Sequence, residues 1–240
     1  MFIKKFANWF DLDYRVKPDN DNIENAGRSM VEMLGVLAII GVLSVGAISG
    51  YSKAMFKYKL NKHTEQMNTL INAVVRNVHS FDNIKHKSVN LTSTFIKMGE
   101  IPTEMVKANN SDYVYDIFGQ QWQIDIPSSM YNIGGITLSS MHLDGSSFLS
   151  SKSTDGLAIC QNILTIAKEH HDNIARIILA TESDDDGGYY MINGDKYCGE
   201  EAEYDNRYCL KNLTLDNIYT TCAKHGKGGG GYFQFYWERW

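Results

Sequence analysis

The chain has 240 residues and a formal charge of −5, with 23 Lys and Arg against 28 Asp and Glu. An acidic chain of this balance lacks the basic patch that nucleic-acid binding requires, so no nucleic-acid partner is expected. The sequence contains neither a Gly-x-Ser-x-Gly elbow nor a His-Glu-x-x-His helix, and its late glycine stretch lacks the Walker pattern. We therefore expect no enzyme activity and no cofactor.

The N-terminal region contains a long apolar run. Residues 33–52 carry no formal charge, and as a helix they would span ~30 Å, the thickness of a bilayer's hydrocarbon core. Glu32 stands at the head of this run, where a charge costs roughly 2.5–3.5 kcal/mol if it is carried to mid-membrane. The small pair Ala26-Gly27 precedes the run, whereas a secretory signal places its cleavage site after the apolar region. A cut after Gly27 would therefore leave the apolar helix on the mature protein.

The order Gly27, four residues, Glu32 and an apolar helix resembles the class III signal of type IV prepilins and pseudopilins. The resemblance implies a leader over 1–27, which is long as in the type IVb branch, and cleavage between Gly27 and Arg28 by a prepilin peptidase. It also implies that Glu32 faces the new N-terminal amine of a neighbouring subunit during assembly. The family N-methylates this terminus, which would be Arg28 here, where Phe or Met is usual.

The helical pattern continues beyond the apolar run. Apolar positions recur every three or four residues, so we predict one helix over 28–80, with a transmembrane part at about 33–52 and an amphipathic extension over 53–80. The stripe on this extension comprises Phe56, Leu60, His63, Met67, Ile71, Val74 and Val78. Gly46-x-x-x-Gly50 is suited to close helix–helix approach, although glycine is also simply tolerated in membrane helices.

The sequence pattern of residues 81–240 predicts a small globular domain that contains both helices and strands. Alternation over 113–126 predicts a hairpin turning at Phe118-Gly119, and this segment resembles the Asp-x-aromatic-Gly hairpin of pilins and pseudopilins. Asn193-Gly194 after an aromatic strand predicts a second hairpin. Further strands are expected at 136–143, 174–180 and 232–237, and helices at 153–168 and 215–224. The fold class is therefore α+β, a long N-terminal transmembrane α-helix packed on a small C-terminal antiparallel-sheet domain.

All four cysteines follow the apolar run, which favours disulfides in an oxidising compartment over free thiols in the cytosol. Four cysteines allow three pairings. We favour Cys160–Cys222 with Cys198–Cys209, because Cys160 lies on the apolar face of its predicted helix and Cys222 directly precedes the glycine stretch before the last strand. Such a bond resembles the C-terminal disulfide of type IVb pilins, which ties that helix to the closing strand. The alternative is Cys209–Cys222 with Cys160–Cys198.

No metal site is expected, although one segment, Asp184-Asp185-Asp186, is a weak calcium candidate. A solvated turn is the commoner meaning of such an acidic run. Adjacent residues on a helix point apart, so His170-His171 is interpreted as a polar helix end rather than a metal site.

Basic residues flank the apolar run on both sides, so the positive-inside rule alone leaves the orientation undecided. The position of the cysteines and the cytoplasmic leader that the resemblance implies favour N-in, C-out. We thus expect a single-pass precursor in the bacterial inner membrane, and a periplasmic or cell-surface filament of a type IV pilus-like or type II secretion system after assembly. The partners implied are the prepilin peptidase and identical or related pilin subunits. The alternative function is an uncleaved, signal-anchored exported binding module or hydrolase.

Overall fold

The structure is a computed structural model that describes residues 24–84, 88–108, 110–127, 135–141, 154–181, 189–199, 208–225 and 231–238. These residues fall into two compact units, one ending at Lys53 and the other beginning at Ala54. The first unit contains the apolar part of a single long helix, α1, which runs from Glu24 to Asn77. The predicted helix is therefore present, and a 3₁₀ turn over Val78–Phe81 follows it.

The second unit joins the end of α1 to three further helices and a sheet. The helices are α2 (Thr92–Lys97), α3 (Thr154–Glu169) and α4 (Leu215–His225). The strands are β1 (Val89–Asn90), β2 (Val114–Tyr115), β3 (Gln121–Ile126), β4 (Gly135–Met141), β5 (Arg176–Thr181), β6 (Tyr189–Asn193), β7 (Tyr208–Cys209) and β8 (Gly231–Glu238). The described part of the chain is thus α+β, as predicted, with α2 as a short helix that the sequence pattern did not indicate.

The strands form one sheet in the order β1-β3-β4-β8-β5-β6-β7, with β2 also pairing with β3. All described pairs are antiparallel except β6–β7, which is parallel, so the sheet is mostly rather than wholly antiparallel. The closing strand β8 lies between β4 and β5 and therefore joins the two halves of the sheet.

The register aligns apolar side chains across the sheet. One row of residues in consecutive register crosses five strands, and each is fully buried: Ile124, Leu138, Phe235, Ile177 and Ile192. Because side chains alternate between faces, the neighbouring positions, among them Asp125, Thr137 and Gln234, lie on the opposite face. One face of the sheet is therefore apolar and the other largely polar, as is common for an antiparallel sheet.

The apolar stripe of α1 belongs to the same core. Met67, Leu70, Ile71 and Val74 are fully buried and cluster with residues of α3 and of the sheet. The predicted stripe therefore packs on the domain, and polar residues lie between its members. Amphipathic packing of this kind, rather than intrinsic propensity, supplies most of a helix's stability in a folded protein.

Two predicted hairpins have different outcomes. The first is confirmed, since β2 pairs with β3 through a turn in which Gly119 takes φ +84°, a conformation that favours glycine. The second is wrong, because β6 pairs with the preceding β5 and Gly194 leads into a 3₁₀ turn. Gly194 is required for another reason, since a Cβ there would lie 1.6 Å from the carbonyl oxygen of Ile174.

Candidate functional site

The first unit presents an apolar helix surface with no covering residue in the described part of the chain. Its large apolar side chains are 52% exposed at Ile40 and up to 75% exposed at Val42, and exposed positions occur on every side of the helix. This helix is long and apolar enough to cross a membrane. A helix that is apolar all round is stable only in lipid or inside a bundle of helices.

Two hydroxyl groups in this apolar stretch form hydrogen bonds within the helix. The Ser44 hydroxyl donates to the Ile40 carbonyl at 2.7 Å, and the Ser52 hydroxyl donates to the Ile48 carbonyl at 3.0 Å. Such bonds remove the cost of placing a hydroxyl in hydrocarbon. Gly46 and Gly50 have open space where a Cβ would stand, and no described residue packs closely at this pair, whose spacing suits close helix–helix approach.

Glu32 is exposed at the start of this stretch, and no described basic group lies within ion-pair distance of it. Gly27 and Arg28 lie in the backbone of α1, but their side chains fall outside the described residues. The arrangement therefore contains one carboxylate without a described partner at the head of an apolar helix. An N-terminal amine of a second molecule could neutralise that carboxylate.

The second half of α1 is fixed in the domain by a buried polar cluster. The His63 and Asp116 side chains are both fully buried, and His63 Nε2 lies 3.4 Å from Asp116 Oδ2. Asn162 of α3 donates from Nδ2 to His63 Nδ1 over 3.0 Å, and its Oδ1 accepts from the Thr64 hydroxyl at 3.0 Å. The two ring nitrogens of His63 therefore face different elements, with Nδ1 toward Asn162 of α3 and Nε2 toward the Asp116 carboxylate.

Asp116 also organises the β2–β3 hairpin. Its Oδ1 accepts from the backbone N–H groups of Phe118 and Gln120, both at 2.9 Å, and its Oδ2 accepts from Trp122 Nε1 at 3.0 Å. A buried carboxylate is tolerated only when its lone pairs are used in this way. The turn also packs on α1, since the Phe118 ring lies 5.6 Å from the His63 ring and 6.1 Å from the Phe56 ring between centroids.

The sequence pattern places His63 in the apolar stripe and Asp116 in the Asp-x-aromatic-Gly hairpin, but it does not indicate that these two side chains meet. Gln66 was also missed. Its Oε1 accepts from the Ile117 backbone N–H at 2.8 Å, giving the turn a second bond to α1. A histidine and a glutamine within an apolar helical stripe were the available signal, because buried polar groups need partners.

Two ion pairs join the surface of α1 to the segment that follows it. Lys62 Nζ lies 2.9 Å from Glu104 Oε1 and 3.1 Å from Glu65 Oε2, and Arg76 pairs with Glu100. The hydrogen bond from Lys62 lowers the pKa of Glu104, and the bond from Arg76 lowers the pKa of Glu100. Solvent screens exposed pairs of this kind, so they orient the segment more than they stabilise it.

The four cysteines form the favoured pairs, Cys160–Cys222 and Cys198–Cys209. The first bond is buried and joins α3 to α4, directly before the segment that leads to β8. The second closes a segment 11 residues long beside the parallel β6–β7 pair.

The described residues include no group of three or more His, Cys, Asp or Glu side chains that could hold a metal ion. Asp184, Asp185 and Asp186 lie outside the described residues. The His170 ring contacts Asn68 at 2.8 Å and the His171 ring contacts Asp195 at 3.0 Å, so the two rings have separate partners, as expected for a polar helix end.

Comparison of the chain with models of known protein families and with curated protein sequences yields no match. A long N-terminal apolar helix followed by a sheet domain is consistent with a pilin-like architecture.

Proposed function

We propose that this chain is a structural subunit of a filament of the type IV pilus or type II secretion kind. In this proposal a prepilin peptidase cuts after Gly27, and the subunits assemble through the apolar half of α1. The supporting observation is that one helix has two contrasting halves. Residues 30–51 expose large apolar side chains that no described residue covers, whereas the stripe from Met67 to Val74 is buried in the domain core.

This division suits a subunit that exchanges one apolar environment for another. Before assembly, lipid covers residues 30–51, and in a filament the same residues of neighbouring copies cover one another. Because both environments are apolar, helix association depends on packing and on satisfied polar groups rather than on the hydrophobic effect. Gly46 and Gly50 provide a place for close packing, and Glu32 provides a charge that can set the axial position of a neighbour.

The proposal places the precursor in the inner membrane, with the N-terminus in the cytoplasm and the domain outside. Both disulfides are in the domain, which agrees with an oxidising compartment on that side. The uncleaved, signal-anchored module is the competing proposal, in which the same helix would remain a simple anchor.

A peptide map of the chain from cells that contain a prepilin peptidase tests the proposal. The expected mature chain begins at Arg28, and Gly27→Leu should block processing because the peptidase needs close backbone approach at that point. Gly35→Leu is the matched control, since Gly35 has open space around its Cβ position and lies beyond the cut. A mature-sized product from Gly27→Leu, or a wild-type chain that still begins at Met1, would contradict the proposal.

A further inference from the structure

The exposed side of α1 just after the apolar run carries a short basic and aromatic surface. Lys57, Tyr58 and Lys59, here called the lysine collar, are all exposed, Tyr58 to 59%. The flanking residues Phe56 and Leu60 are half-buried and face the domain. At 100° per residue the collar therefore spans the arc of the helix that faces away from the domain.

The collar lysines differ from the next lysine along the helix. Lys62 is held by Glu65 and Glu104, and the hydrogen bond to Glu104 raises the pKa of Lys62. Among the described residues, no carboxylate lies within ion-pair distance of Lys57 or Lys59. Two uncompensated cations thus flank Tyr58 on a chain whose formal charge is −5.

The position of the collar lysines along the helix axis matches the depth of a lipid headgroup layer. Lys57 is five residues beyond Ser52, the end of the apolar run, which corresponds to about 7.5 Å of helical rise. The headgroup region on each side of a bilayer is roughly 5–8 Å deep. Lysine stems can reach back toward that layer, and tyrosine is enriched there.

We infer that the lysine collar binds the phosphodiester headgroups of anionic lipids in the leaflet from which the domain emerges. An anionic surface attracts each lysine near it, and this attraction weakens as salt shortens the Debye length. The contact holds the domain close to the bilayer while the chain waits as a precursor. The inference rests on the membrane placement within the proposed function, but not on cleavage or on filament assembly.

The test reconstitutes the full chain in vesicles of phosphatidylcholine and phosphatidylglycerol. Electron spin resonance then compares the association of spin-labelled phosphatidylglycerol and spin-labelled phosphatidylcholine with the protein. We expect at least about a twofold preference for phosphatidylglycerol near 0.1 M salt, falling toward none near 1 M. The double variant K57Q/K59Q should lose most of this preference, whereas the matched double variant K97Q/K211Q should keep it. Lys53 is left unchanged so that one cation remains next to the apolar run.

Four results would overturn the inference. A wild-type chain with no preference, or an unchanged preference in K57Q/K59Q, would assign the collar to another partner such as an acidic protein. Loss of the preference on adding inorganic phosphate would show that the lysines recognise free phosphate instead. A chain that is removed from the vesicles by alkali would refute the membrane placement as well. If the chain stays inserted in the vesicles but shows no lipid selectivity, the inference about the lysine collar is refuted and the membrane placement is not.

Discussion

His63 Nε2 lies 3.4 Å from Asp116 Oδ2, and both side chains are fully buried. This distance is longer than an ordinary N–H···O hydrogen bond, so the contact is chiefly electrostatic. It nevertheless connects the second half of α1 to a hairpin whose shape depends on the same carboxylate. A buried polar junction therefore lies inside an otherwise largely apolar interface.

The first prediction concerns Asp116. Replacing Asp116 with Ala removes the acceptor for Phe118, Gln120 and Trp122 together, and should lower the free energy of unfolding by roughly 3 kcal/mol or more. Asp112→Ala, at an exposed position nearby, should change it by about 0.5 kcal/mol or less. Urea unfolding of the full chain in detergent, followed by tryptophan fluorescence, measures both. Equal effects of the two variants would show that Asp116 is not the junction.

The second prediction is a pH dependence at Asp125. Burial raises the pKa of Asp125, and its hydrogen bond from Thr137 opposes this only in part. A raised pKa means that the folded state holds the proton more tightly than the unfolded chain. Stability from this group is therefore present at low pH and is lost as the pH rises through the folded pKa.

Asp125→Asn keeps an oxygen that can accept from Thr137 but cannot ionise. We expect its melting temperature relative to wild type to rise between about pH 4 and pH 7, because only wild type must then bury a charge. Asp112→Asn serves as the exposed control. A difference between Asp125→Asn and wild type that does not change with pH would contradict the assignment.

The third prediction separates the two disulfides. Cys160 and Cys222 are 0% and 2% exposed, whereas Cys198 and Cys209 are half-buried. Under graded reduction of the native chain, alkylation should label Cys198 and Cys209 first, since thiol–disulfide exchange needs access to sulfur. Mass spectrometry of the alkylated peptides gives the order. Earlier labelling of Cys160 would show that α3 and α4 separate more readily than the core packing implies.

Removing one or the other disulfide should also lower the free energy of unfolding by different amounts. The bonded cysteines are 62 and 11 positions apart in sequence, and for loops of these lengths chain entropy gives about 4 and about 3 kcal/mol respectively. The double variant Cys160→Ala/Cys222→Ala should lose still more, because it also removes buried side-chain volume. Denaturant unfolding of this variant and of Cys198→Ala/Cys209→Ala measures the two losses of unfolding free energy. A larger loss for Cys198→Ala/Cys209→Ala would contradict the prediction.

The fourth prediction concerns Glu32. Glu32→Val should leave cleavage and membrane insertion intact but reduce assembled filaments about tenfold or more, since losing one partner of a buried ion pair costs roughly 3–5 kcal/mol. Met33→Val is the control at the adjacent exposed position. Filament yield after shearing, measured against the total mature chain, is the readout. Normal yield from Glu32→Val would make Glu32 only an interfacial charge.

Several parts of this structure could be predicted because local pattern alone determines them. The apolar run, the stripe from Phe56 to Val78 and the Gly119 turn follow from composition, helical period and the need for a positive φ. The favoured disulfide pairing followed from the apolar face of α3 and the position of Cys222 before the last strand. These features depend on residues close together in sequence or on a short list of possible pairings.

The remaining features depend on contacts between distant segments. Asn193-Gly194 has the composition of a two-residue hairpin, but the backbone of Ile174 occupies the space next to Gly194, and this close approach determines the glycine. The junction of His63 with Asp116 and Asn162 joins residues that are up to 99 positions apart. No local period encodes such a contact, so the sequence could indicate only that a buried histidine would need partners.

In the proposed filament, the apolar half of α1 packs against the same half of other copies. The described residues contain no free cysteine, so Gly46→Cys or Val45→Cys introduces a single reactive thiol in that half. Filaments isolated from cells that carry either variant, and then oxidised, should yield dimers cross-linked at the introduced cysteine. The same variants combined with Gly27→Leu should yield only monomers. Assembled filaments with no cross-link from either position, or equal cross-linking without cleavage, would contradict the account.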